Sequence, residues 1–138
     1  MLPFEARDKY SFNYTMHEGS TLKVSDHFAG QLGMPVAIQT WVIAPGGFEG
    51  LHAHHGAEEL QEYYHVLEGQ AQMRVGEHIY DLSPGDSVLA VAGVEHDLKN
   101  TGPTDLRVLT VWGPPGSADF SGFGSHQLAK QIRGRSLD

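Results

Sequence analysis

Residues 46–69 read GGFEGLHAHHGAEELQEYYHVLEG, and they place His52, His54 and His55, three of the nine histidines of the chain, within four consecutive positions. His52 and His54 are separated by one residue. On a β-strand that spacing puts both imidazoles on one face at neighbouring rungs, as two cis ligands of one metal ion require. The helical solution to the same problem, H-E-x-x-H, is absent. A following strand begins near Glu62 and runs to a turn at Gly69, so that a carboxylate of the adjacent strand can reach the same point. His55 points away from His54 and reads as loop surface.

Working outward, the flanking sequence reads as β-structure. Runs such as PVAIQTWVIAPGG, SVLAVAG and LRVLTVWGPPG are β-branched or aromatic and end at Gly or Pro. Short strands at roughly 8–12-residue spacing predict a sandwich or barrel. In QAQMRV, Ala71, Met73 and Val75 share one face and Gln70, Gln72 and Arg74 the other, so the first set points inward. Only HQLAKQIRGR has helical spacing, with Leu128 and Ile132 as an i, i+4 pair on a short surface helix. The division expected is an extended segment over 1–30 able to form a dimer contact, a barrel over 31–113, and a loop with the short helix over 114–138.

Composition narrows the chemistry. The chain has 138 residues and 40% hydrophobic content, which fits one globular domain. It has no cysteine, so a metal must be held by imidazole and carboxylate. A formal charge of −8, without a basic stripe, argues against nucleic acid. The absence of a leader-like or membrane-spanning apolar run predicts a cytoplasmic protein with no membrane partner.

At these positions the chain resembles the cupins, small jelly-roll β-barrels. The first cupin motif, G-x5-H-x-H-x3,4-E-x6-G, resembles Gly46, His52, His54, Glu62 and Gly69; the second, G-x5-P-x-G-x2-H-x3-N, resembles Gly85, Gly93, His96 and Asn100. Val91 stands where the second motif has proline. Seven residues separate His54 from Glu62, more than the family pattern has. Glu58 or Glu59 would satisfy that spacing, but only Glu62 keeps the x6-G register with Gly69, and register sets where a strand side chain points.

The resemblance implies an all-β, cupin-type jelly-roll barrel with a short C-terminal helix, and one divalent transition metal per chain on His52, His54, Glu62 and His96. Iron is the first choice, and Zn, Ni, Mn, Co and Cu also suit the donor set. Tyr64, on the face of Glu62, and the loop residues Glu58 and Glu59 are the candidate catalytic groups, as donor or proton carriers. The expected function is a metal-dependent enzyme acting on a small polar organic molecule, foremost an Fe(II)-dependent dioxygenase. The alternatives are a lyase, isomerase or decarboxylase using Zn, Ni or Mn, and a non-catalytic binding module. A homodimer is expected. Gln39, Trp41 and Trp112 belong to barrel strands of unassigned facing, and His17, His27, His65, His78 and His126 are expected to be solvated.

Overall fold

The computed structural model describes residues 3–53 and 59–135, so His54, His55 and Glu58 lie outside the described residues. Ten strands and one helix follow in order. They are β1 (Phe12–Thr15), β2 (Thr21–Asp26), β3 (Ala37–Ile43), β4 (Phe48–His52), β5 (Gln61–Glu68), β6 (Ala71–Val75), β7 (His78–Leu82), β8 (Ser87–Ala90), β9 (His96–Asn100), β10 (Leu106–Gly113) and α1 (Gly124–Arg135). They form a six-stranded sheet, β1-β2-β3-β10-β5-β8, and a four-stranded sheet, β4-β9-β6-β7. All pairings are antiparallel, and the arrangement is the jelly roll that the sequence predicts.

Strand parity builds the interior. Leu22 and Val24 of β2, Tyr64 and Val66 of β5, Met73 of β6, Leu98 of β9 and Val108 of β10 are buried together between the sheets. Each such side chain contributes about 1.5–3 kcal/mol through removal from water. Met73 is buried and Arg74 exposed, as the alternation in QAQMRV predicts. The same parity that buries Tyr64 and Val66 also buries Glu62, and the parity that buries Leu98 buries His96 and Asn100. Polar groups are thus carried into the interior by the pleat that builds the core.

Asn100 is held there structurally. Its amide donates to the carbonyls of Ile43 and Thr104, at 2.9 and 2.8 Å, and its side-chain oxygen accepts from Gly102 N. Gly69 turns β5 into β6 with φ +91°, and a Cβ there would stand 2.7 Å from the carbonyl oxygen of Asp105. This close approach explains glycine at the end of the first motif.

Two strands, β1 and β2, lie in the N-terminal region that the sequence reads only as an extended segment. β2 pairs with β3 and so acquires a core-facing side that its short alternation only hints at. The helix forms over Gly124–Arg135, with Leu128 and Ile132 exposed on it. No helix among the described residues is long and apolar enough to cross a membrane.

Candidate metal centre

β4 and β9 bring His52 directly opposite His96. β5 supplies Glu62 from the facing sheet. His96 Nε2 lies 2.9 Å from Glu62 Oε2, and His52 Nε2 lies 3.7 Å from Glu62 Oε1. The other nitrogen of each ring is committed to the backbone: Nδ1 of His52 is 2.9 Å from the carbonyl of Gly50, and Nδ1 of His96 is 3.0 Å from that of Val94. A carbonyl accepts from Nδ1–H, which orients both Nε2 atoms toward Glu62. Metal–donor bonds of about 2.0–2.2 Å place neighbouring donors on one ion roughly 3–3.5 Å apart. The three residues therefore fit a divalent ion in donor type and in spacing. His54, expected beside them, comes two positions after the last residue of β4 and lies outside the described residues.

Tyr64 is fully buried, and its hydroxyl donates to Glu62 Oε2 and, at 3.1 Å, to Glu49 Oε1. Its ring packs edge-on against Trp41 and His96. Tyr64 thus links two carboxyls and walls the interior. Glu59 is exposed, and Glu58 lies outside the described residues.

Glu49 has no counterpart in the sequence expectations. It lies three residues before His52, so an unbroken pleat would turn the two side chains to opposite faces. The ladder instead pairs Glu49 with Leu98 and His52 with His96, three steps on β4 against two on β9. This bulge reverses the parity and brings both side chains inside. Glu49 is 1% exposed.

His17, expected to be a solvated bystander, stacks on His52 with ring centroids 3.5 Å apart and 14° between planes. It belongs to the turn between β1 and β2, which is docked on β4: Ser20 N donates to Phe48 O, and Phe48 N donates to Ser20 Oγ. A side chain at Gly50 would collide with the His17 carbonyl, so glycine permits this contact. His17 has no motif spacing, and no sequence signal marks it. Of the other histidines, His27 lies 2.6 Å from Thr40 Oγ1 and His65 2.7 Å from Ser87 Oγ, while His78 and His126 are exposed.

The charges in this interior are strongly coupled. Burial, reinforced by the charge of Glu62, pushes the Glu49 carboxyl well above the ordinary carboxylate value. Burial opposes ionisation of Glu62 as well, but the neighbouring His52 ring and hydrogen bonds with His96 and Tyr64 outweigh it and hold that carboxyl far below its usual range. Burial also opposes protonation of His96, and the Glu62 carboxylate overcomes it, raising the imidazole. Burial and the two carboxyls keep the Tyr64 phenol protonated.

A cavity of about 430 Å³ opens beside these groups. Tyr14, His17, Trp41, Glu49, Glu62 and Trp112 are among its walls, so Trp41, Trp112 and also Gln39 face inward. Gln39 is fixed there by accepting from Trp41 Nε1 at 2.8 Å and donating to Asp26 at 2.9 Å.

Comparison with known proteins agrees with this architecture. The family model described as Cupin domain matches residues 39–112. An uncharacterized protein of Methanocaldococcus jannaschii is 25% identical over 102 residues, 74% of this chain and 79% of that protein. An oxalate-binding protein of Thermotoga maritima is 33% identical over 69 residues, 50% of this chain and 54% of that protein, so the match spans about half of each. Among solved structures, a predicted oxalate decarboxylase from Thermotoga maritima superposes with a TM-score of 0.67 at 22% identity, covering 81% of this chain and 100% of the other. A cupin 2 conserved barrel domain protein from Salinispora arenicola gives 0.66 at 18% identity, covering 99% of both chains. At these identities the structural likenesses speak to the fold.

Proposed function

Since the chain belongs to the cupin family, we propose that it is a metal-dependent enzyme that binds a small organic acid, or a related chelating molecule with an apolar body, beside His52, Glu62 and His96. The observation that carries this reading is the juxtaposition of that donor triad with a cavity of about 430 Å³ walled by Tyr14, Trp41 and Trp112. A cavity of this size suits a ligand well beyond a two-carbon acid, and its aromatic walls suit an apolar body. Fe(II), when bound, would supply dioxygen activation for dioxygenase chemistry, whereas Zn, Ni or Mn would supply Lewis-acid stabilisation of an enolate.

The chain's own residues have separable parts in this reading. His52, Glu62 and His96 hold the ion, with His54 as a further donor from the segment after β4. Tyr64 is a positioning residue whose O–H fixes the orientation of Glu62 from a site closed to solvent. Glu49, on the cavity wall, is the carboxyl placed to hold a proton near the ligand, a part the sequence assigns to Glu58 or Glu59. Trp41 and Trp112 shield the ligand from water. The exposed edge strand β1, which carries Phe12 and Tyr14, is the surface on which we would place the expected homodimer contact.

The test is elemental analysis of protein purified without chelator or affinity nickel, followed by thermal-shift and oxygen-uptake measurements. The ligands are oxalate, longer dicarboxylates, and aryl or alkyl hydroxy acids. Metal near one per chain, with larger acids raising the melting temperature more than oxalate, is the expected result. Absence of metal after reconstitution with each candidate ion would overturn the reading. Oxalate as the best stabiliser would favour a second reading, binding or decarboxylation of oxalate, supported by the name of the Thermotoga maritima relative.

A further inference from the structure

We propose that His17, Glu49 and His52 form a second position for a divalent transition-metal ion, on the cavity side of the first. Glu49 Oε2 lies 4.0 Å from His17 Nε2 and 4.0 Å from His52 Nε2. All three donor atoms fall within 4.8 Å of one another, the same convergence found for His52, Glu62 and His96. Two imidazoles and a carboxylate are a donor set that Zn, Co, Ni or Fe accepts.

The independent observation is Glu49 itself. The side chain is 1% exposed, and its Oε2 accepts no hydrogen bond among the described residues, although Oε1 takes the Tyr64 hydroxyl. A buried carboxylate oxygen without a donor is unfavourable unless a cation or a proton reaches it. This oxygen is aimed between two imidazoles, where a cation would satisfy it.

The rest of the local structure serves the same geometry. The bulge in β4 turns Glu49 inward beside His52. The docked turn, with Gly50 leaving room for the carbonyl of His17, lays the His17 ring on that of His52. His17 has φ +49°, in the left-handed region uncommon for residues other than glycine. The two triads share His52 Nε2, whose single lone pair serves one ion at a time. Occupancy is therefore exclusive: an ion sits either between His52, Glu62 and His96, or nearer the cavity between His52, Glu49 and His17. The inference leans on the proposed function only through this shared residue.

Stripped full-length chain is titrated with Co²⁺, followed by its d–d absorption and by equilibrium dialysis. In Glu62→Gln/His96→Ala, which disables the first position, one equivalent of Co²⁺ should still bind, more weakly than in the parent. Adding His17→Asn or Glu49→Gln should abolish that binding; asparagine tolerates positive φ, and circular dichroism verifies folding of each variant. If the double variant does not fold, the isosteric Glu62→Gln replaces it as the background. Loss of all Co²⁺ binding in the background while the parent binds would overturn the second position and leave the proposed function standing. Equal binding with and without His17→Asn would overturn it too. A parent that binds no ion at all would remove both.

Discussion

His52 and His96 face each other across the β4–β9 ladder with ring centroids 4.1 Å apart, and the two Nε2 atoms meet the same carboxylate, Glu62, from opposite oxygens. One registered strand pair and one residue of the opposing sheet therefore create the donor triad. His52 is also the residue common to both ligand groups.

Replacing His52 by alanine should for that reason abolish metal retention, whichever position the ion prefers. Elemental analysis beside the parent checks this. Undiminished metal content in a folded variant would sink the assignment.

Tyr64→Phe deletes the donor that serves Glu49 and Glu62 together. Each carboxyl keeps its place in an interior closed to water, so the loss should destabilise the metal-free protein by about 1–3 kcal/mol. Urea denaturation measures it, and an unchanged midpoint would show that the phenol merely fills space.

The pH dependence of metal-free stability should be divided between Glu62 and Glu49. Glu62 is held low in the folded state, so its contribution is present above the ordinary carboxylate value of 4.5 and is lost as pH falls below it. Glu49 is held high, so above 4.5 the folded chain keeps a proton that the unfolded chain has released, and stability falls as pH rises. Glu49→Gln removes that slope. Its stability relative to the parent should grow between pH 5 and 8 in chelator; a constant difference would show that Glu49 titrates normally.

Gly50→Ala places a methyl group against the His17 carbonyl. Overpacking of this kind destabilises by about 1–3 kcal/mol. It should also lift the β1–β2 turn from β4 and weaken the His17–His52 stack, readable in the histidine ring resonances. A variant with parent stability and unchanged ring shifts would show that the turn yields freely.

The sequence made some of this legible and hid the rest for definite reasons. Register along β5 picks Glu62 over the loop glutamates, because six residues from Gly69 fix its parity, and Glu62 does meet His52 and His96. The inward face of Ala71, Met73 and Val75 was readable from alternation alone. Glu49 was hidden because parity from His52 sends it outward; Gly50, inside the irregular step, is the one local sign of the bulge, and a lone glycine in a strand does not say which side chain is turned inward. His17 was hidden because its partner lies 35 positions away and the turn that carries it uses positive φ at His17 and Glu18, two residue types that do not advertise it. Local pattern encodes facing within a strand; docking between turns and strands is a tertiary property.

The cavity wall formed by Phe12, Tyr14, Thr15, Met16 and His17 precedes the segment that the family shares, residues 39–112. The other walls, among them Gln39, Trp41, Glu62 and Trp112, lie inside that segment, so the shape of the cavity is written only partly in the shared stretch and its N-terminal wall is free to change separately during descent. Two proteins alike over 39–112 can therefore still differ in the shape of this cavity.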